Sequence, residues 1–208
     1  MTRRRQLRRT GLATGTVLAI GIALLFALQP FAQRAGDADG MMDDGTNAEE
    51  ANAALDLPAW MDIELVDALT GEAFQVRDLI GRPILLESFA VWCSTCLRQQ
   101  KEMAELVERY GEAIVHVSLD TDPNEDRSLV REHALRHGFD WLFAVAPIEM
   151  TQSLINAFGL TVVNAPRAPV VLIEPDGSAR LLENGVKSAE RLAEIVGLDP
   201  DSAETADE

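Results

Sequence analysis

Two cysteines, two lysines and one tyrosine are all that 208 residues supply of those types. Two cysteines exclude a multi-disulfide scaffold and a four-cysteine zinc site. Bases are scarce as well: 18 Lys+Arg stand against 34 Asp+Glu, for a formal net charge of −16. The first 34 residues hold six arginines and no acid, so positions 35–208 carry 12 basic and 34 acidic side chains, a net of −22. Phosphate binding needs clustered cations, which excludes a nucleic-acid-binding body of this sign. Lys101 and Lys187 are the lysines, beside 16 arginines. An excess of acid so distributed reads as a solvated, salt-adapted surface more than as an acidic binding site. No repeat recurs at a fixed period, which argues against a solenoid.

What is present is ordered along the chain. Arg3, Arg4, Arg5, Arg8 and Arg9 precede a run over 10–33 that contains no charge. About 20 helical residues cross a bilayer core, and the flanking arginines favour the cytoplasmic side. A cleaved secretory signal competes, but the run is long for one and no clear small-x-small site follows it. The expectation is a cytoplasmic Arg-rich stub and single-pass signal-anchor helix over 1–34, with the remainder extracytoplasmic, whether periplasmic or extracellular. Residues 35–57 hold seven acids and no base, as expected of a flexible self-repelling tether. The last ten residues, 199–208, hold five acids and no base and read as a disordered tail, leaving a folded body over 58–198.

That body alternates between periods of two and of 3.6. Met61 to Val66 and Glu72 to Val76, split by Thr70-Gly71, predict a small hairpin. Ile84 to Phe89 is a continuous apolar run of the kind covered on both faces. Helices are predicted over Ser94 to Tyr110, Asp126 to His137 and Glu149 to Phe158, with Gly111 and Gly159 stopping the first and third. Strands are predicted over Ala113 to Leu119, Trp141 to Val145 and Pro169 to Glu174. The last turns through Pro175-Asp176-Gly177 into Ala179 to Leu182, and Ser188 caps a final helix carrying Leu192, Ile195 and Val196. Such alternation implies an α/β fold, a sheet flanked by helices.

The two cysteines form C-x-x-C, Cys93-Ser94-Thr95-Cys96, where an apolar strand hands over to an amphipathic helix. At a helix N-terminus, unpaired N–H groups and the helix dipole favour a thiolate at Cys93. Such a thiolate attacks a disulfide, and Cys96, one turn further in, resolves the mixed disulfide. Half a zinc site would need two more ligands, and His116, His133 and His137 stand in other elements without ligand-like spacing. A purely structural disulfide closing so small a loop would constrain the unfolded chain little. His133 and His137 read as a helix flank, and His116 as a packed or hydrogen-bonded strand residue.

The string ILLESFAVWCSTC over 84–96, with Trp92 before the first cysteine and a downstream Ala-Pro, resembles the thioredoxin superfamily. Within it, the membrane-tethered TlpA/ResA/CcmG(DsbE)-like proteins are the nearest in pattern: Thr95 before the second cysteine and the Pro175-Asp176-Gly177 turn are similar to that branch. The resemblance covers about Ile63 to Val196 and implies a thioredoxin-like fold, a central mixed β-sheet flanked by helices with an N-terminal β-hairpin extension. It implies Cys93 as nucleophile, Cys96 as resolving thiol, Glu87 as a buried proton shuttle, Trp92 as a shield over the turn, and Ala168-Pro169 as a substrate-docking edge built around a cis-proline. Pro166 is the rival for that place.

The resemblance further implies a thiol–disulfide oxidoreductase whose cofactor is its own redox-active Cys93–Cys96 disulfide, with no metal. Protein disulfides would be its substrates, apocytochrome c among them in cytochrome c maturation, and a membrane thiol carrier its electron source. The absence of a histidine between the cysteines favours a reductant. An oxidase of the same fold is the alternative in direction. A peroxiredoxin would carry Thr where Ala90 stands, and a Sco-like copper-delivery protein would need C-x-x-x-C and a histidine ligand.

Overall fold

In a computed structural model of the chain, residues 56–199 are described. They form seven strands, β1 (Leu65–Val66), β2 (Ala73–Phe74), β3 (Ile84–Phe89), β4 (Val115–Asp120), β5 (Leu142–Val145), β6 (Val170–Ile173) and β7 (Ala179–Leu181). Four α-helices accompany them, α1 (Ser94–Tyr110), α2 (Arg127–His137), α3 (Ile148–Phe158) and α4 (Ala189–Val196). Five strands build one mixed sheet in the order β5-β4-β3-β6-β7. β3 runs parallel to β4 and antiparallel to β6, so it is hydrogen-bonded on both sides. The fold is the predicted α/β sheet flanked by helices.

The apolar run of β3 is buried at every position because it lies central and covered on both faces. Its alternate side chains serve two cores. Leu85 packs with Met103, Leu106, Leu172 and Leu192 on the side of α1 and α4. Ile84 and Leu86 pack with Val117, Met150, Leu154 and Ile173 on the side of α3. Glu87, two residues beyond Leu85, therefore points towards α1. Local capping fixes where the helices begin. Asp126 accepts from Ser128 N and Leu129 N at α2, and Ser188 Oγ accepts from Arg191 N at α4.

The hairpin extension is smaller than predicted. β1 and β2 pair over two residues each, while Met61 lies in a 3₁₀ turn over Ala59–Asp62 and Val76 in another over Val76–Leu79. The Arg77–Asp62 ion pair ties these turns together. The folded body also begins earlier than position 58. Leu57 is buried in the core, and a Cβ on Gly177 would stand 2.0 Å from Leu57 Cδ2. With φ of +84° as well, the Pro175-Asp176-Gly177 turn requires glycine at that position. Other boundaries differ from prediction by one or two residues, with β4 starting at Val115 and α3 at Ile148.

Among the described residues no helix is long and apolar enough to cross a membrane. The predicted anchor over 10–33, nearly all of the tether and the tail beyond residue 199 lie outside the described residues.

Asp67 holds the hairpin to the main sheet. Buried at the hairpin turn, its carboxylate accepts from Leu69 N, Thr70 N, Thr70 Oγ1 and Phe143 N of β5. Burial alone would raise its proton affinity, but these donors outweigh it and hold the carboxyl below its ordinary value. Asp67→Ala should destabilise the chain by about 3 kcal/mol at neutral pH, measured by denaturant unfolding. A depressed pKa stabilises above the unfolded value and is lost below it, so the gap between native and variant should shrink as the pH falls through 4 and below.

Candidate active site

Cys93 occupies the N-cap of α1, in extended backbone geometry, and its Sγ accepts from the Cys96 N–H at 3.2 Å. The sulfur thus takes one of the N–H groups that a helix start leaves without an intrahelical partner. Both cysteines are free thiols and both are buried. They sit among Phe89, Ala90, Val130, Phe143 and Ala165. Ser94 is exposed and Thr95 half-buried, its hydroxyl 3.4 Å from an Arg98 guanidinium nitrogen. Cys96 Sγ donates to Ala165 O at 3.2 Å. Burial, with the nearby Glu87 charge adding to it, drives the Cys96 thiol strongly towards its protonated form.

Glu87 is fully buried. Ser118 of β4, its cross-strand neighbour, donates its hydroxyl to Glu87 Oε2 at 3.2 Å and accepts from Trp141 Nε1 at 3.0 Å. Burial pushes the Glu87 carboxyl up to about 8, opposed by the Gln100 amide, the Ser118 hydroxyl and the Lys187 charge. A carboxyl poised there, beside a thiol that resists ionisation, can take up and return a proton near neutral pH.

The turn is held from outside by the loop after β4. Glu125 Oε2 accepts from Val91 N and Asp122 Oδ2 from Trp92 Nε1, both at 2.7 Å. Asp122 N in turn donates to Asp120 Oδ1 at 2.9 Å. Burial pushes the Asp120 carboxyl up to about 8, with the Glu125 and Asp122 charges adding to it. Trp92 itself is 63% exposed, standing beside a cleft of about 390 Å³ bounded by Asp122, Pro123, Leu160, Val163 and Pro166.

The docking edge at Ala168-Pro169 takes a different form from the prediction. The segment ahead of it forms two 3₁₀ turns, Leu160–Val163 and Ala165–Arg167. Ala168 is buried at φ 47°, and its N–H donates to Ala165 O at 2.8 Å. Its carbonyl accepts from Lys187 Nζ at 2.9 Å, so both backbone groups already have partners within the chain. Pro169 is buried, and its carbonyl accepts from Ser88 N. Pro166, exposed at the cleft, stands next to the Ala165 carbonyl that meets Cys96.

Sequence reasoning missed the buried Gln100, Ser118 and Lys187 that act on Glu87 and the buried Gln99 that bonds Lys187, and placed His133 on a helix flank. His133 points inward, its Nε2 2.7 Å from Gln100 Oε1. The spacing held a cue: Cys96, Gln99, Gln100 and Met103 follow the 3.6-residue period and put two amides on the buried face of α1. His116 is buried against Trp141 with neither ring nitrogen hydrogen-bonded. Among the described residues no three His, Cys, Asp or Glu side chains gather as metal ligands.

No family model matches the chain. It is similar to the thiol-disulfide oxidoreductase ResA of Bacillus thuringiensis (strain Al Hakam), with 28% identity over 116 residues, 54% of this chain and 61% of that one. The chain thus spans about three fifths of that curated relative. A ResA of Halalkalibacterium halodurans is 23% identical over 134 residues, 64% of this chain and 72% of that one. Among solved structures, a thioredoxin-family thiol:disulfide interchange protein of Chlorobium tepidum matches with a TM-score of 0.56 and 19% identity, covering 65% of this chain and 90% of that one. A secreted disulfide oxidoreductase of Mycobacterium tuberculosis homologous to DsbE matches with a TM-score of 0.54 and 15% identity, covering 66% and 96%. The fold is thioredoxin-like.

A buried carboxyl with a raised pKa keeps its proton after the unfolded chain has lost its own. Native stability should therefore fall as the pH rises from about 4.5 to about 8 and then level off, by roughly 3–5 kcal/mol from this group. Glu87→Gln should lack that component. Denaturant unfolding at pH 5 and pH 9 should show the variant gaining on the native chain at the higher pH.

Proposed function

We propose that this chain, a ResA/CcmG-like protein of the thioredoxin superfamily, is an extracytoplasmic thiol–disulfide oxidoreductase that reduces protein disulfides. The observation that carries the reading is the pair of free thiols at the start of α1, with the inner one beside a buried carboxyl. The Cys93 thiolate attacks one sulfur of a substrate disulfide, forming a mixed disulfide and releasing the other substrate sulfur as a thiolate. Cys96 then gives its proton to the Glu87 carboxylate and attacks Cys93 Sγ. The Cys93–Cys96 disulfide forms, the second substrate sulfur leaves as a thiolate, and two electrons have passed from the chain to the substrate. The carboxyl cannot act this way while protonated, so its value of about 8 makes the resolving step faster as the pH rises towards it.

Trp92 and the cleft it borders would receive the substrate chain, with Pro166 in the place first assigned to Pro169. The charge-free run over 10–33 would anchor the chain with the folded body outside the cytoplasm. A membrane thiol carrier would return the disulfide to the dithiol, and apocytochrome c is the substrate that the resemblance to the CcmG branch suggests.

The full chain with dithiothreitol as electron donor should reduce the interchain disulfides of insulin. Cys93→Ser should abolish the reaction, and Cys96→Ser should accumulate a mixed disulfide visible on non-reducing electrophoresis. A chain that neither reduces insulin nor traps a partner through Cys93 would overturn the reading. One that oxidises reduced substrates but leaves insulin intact would overturn its direction.

A further inference from the structure

Two consecutive buried glutamines on α1, Gln99 and Gln100, take no part in the exchange itself. Each is fixed by a partner far away in sequence. Gln99 makes two hydrogen bonds to the backbone of Lys187: its Oε1 accepts from Lys187 N at 2.8 Å and its Nε2 donates to Lys187 O at 3.1 Å. An amide used at both ends in this way can adopt no other orientation without losing a bond. The Lys187 ammonium it locates is itself saturated. Its three N–H bonds go to the carbonyls of Ala168 at 2.9 Å, Glu183 at 3.0 Å and Gly185 at 2.6 Å. The ammonium therefore stays in place and, while protonated, acts on Glu87 through space, although burial pushes its own pKa down to about 8, in the range where Glu87 titrates.

Gln100 is held from the other side. Its Oε1 can only accept, so the His133 nitrogen facing it, Nε2, carries the proton. His133 is enclosed by Phe89, His137, Phe139 and Phe143, and burial keeps its ring neutral by pushing its pKa down to about 4. With the Gln100 oxygen committed to His133, its amide nitrogen is left to face the carboxyl. Gln100 Nε2 and Glu87 Oε1 are both buried and neither has a hydrogen-bond partner in this structure, an unspent donor and an unspent acceptor, and the Gln100 amide is among the groups that oppose protonation of Glu87. The groups that act on Glu87 are Gln100 and Cys96 from α1, Ser118 from β4 and Lys187 from the segment ahead of α4. Of these, Cys96 and Lys187 are titratable.

We propose that Gln99 and Gln100 are positioning residues that set the ease with which Glu87 gives up its proton: Gln100, oriented by His133, donates to the carboxylate, and Gln99 clamps Lys187 so that its charge stands near. The role given to Glu87 rests on the reading above, but the device does not depend on which substrate is reduced. Both arms favour the ionised carboxyl against the burial that opposes it. Without them the carboxyl would stay protonated further into the alkaline range and would accept the Cys96 proton less readily at neutral pH.

The test is an infrared titration of the full chain in its reduced form, following the protonated-carboxyl band that disappears in Glu87→Gln. In the native chain this band should titrate near pH 8. Gln100→Met and Lys187→Met should each raise the midpoint by about one pH unit. His133→Phe should raise it as well, because Gln100 is then free to turn. Lys187→Arg should restore most of the native midpoint, which a merely structural lesion would not allow. An unchanged midpoint in Gln100→Met and Lys187→Met, with native circular dichroism, would overturn the proposal, as would failure of arginine to rescue. Insulin reduction is scored separately. Shifted midpoints in a chain that reduces nothing would leave the positioning network standing and sink the function, and active chains with unmoved midpoints would do the reverse.

Discussion

A carboxyl group buried in the middle of a β-sheet is the constraint around which the site is built. Removing Glu87 from water disfavours its charged form, and only specific contacts return part of what is lost. Ser118, Gln100 and Lys187 supply those contacts from a strand, a helix and a loop. The three elements must dock in one arrangement for the carboxyl to be tolerated at all. The same burial that makes Glu87 costly makes Cys96 reluctant to ionise, so acid and thiol are matched by a shared environment.

The fold provides that environment through position. β3 has neighbours on both sides and helices on both faces, so its side chains lie as far from solvent as a five-stranded sheet allows. It ends where α1 begins, which puts Cys93 at the boundary and Cys96 one turn inside. Two acids hold the outer side of the turn, through the Val91 N–H and the Trp92 indole, so the backbone leading into the cysteines is fixed before any substrate arrives. The inner side meets the Ala165 carbonyl. The site is thus pinned by hydrogen bonds from segments 30 or more residues further along the chain, which is how a short turn keeps one geometry.

Much of this was legible in the residues themselves. The apolar run ending at Phe89, the cysteine pair at a helix start and the caps at Asp126 and Ser188 are local signals, and they mark local structure. The surroundings of Ala168 were not legible. Residues 160–167 carry no periodicity, and the lysine that bonds the Ala168 carbonyl lies 19 positions away. His133 was misplaced for a related reason. On α2 the leucines Leu129 and Leu135 are exposed, and the buried stripe is Val130, His133 and Ala134. A polar residue on a buried face can be recognised only once its partner is known, and Gln100 stands 33 residues from His133. The hairpin shrank because Met61 and Val76 bury their side chains from 3₁₀ turns instead of strands.

The central claim is that Glu87 takes the proton from Cys96 when the mixed disulfide resolves. Its most direct test is the rate of that single step, measured by stopped flow on a preformed mixed disulfide between Cys93 and a small chromophoric thiol, over a range of pH. The rate should rise with pH, level off near 8, and become slow and nearly free of this inflection in Glu87→Gln. An inflection of the same position and height in the variant would contradict the assignment.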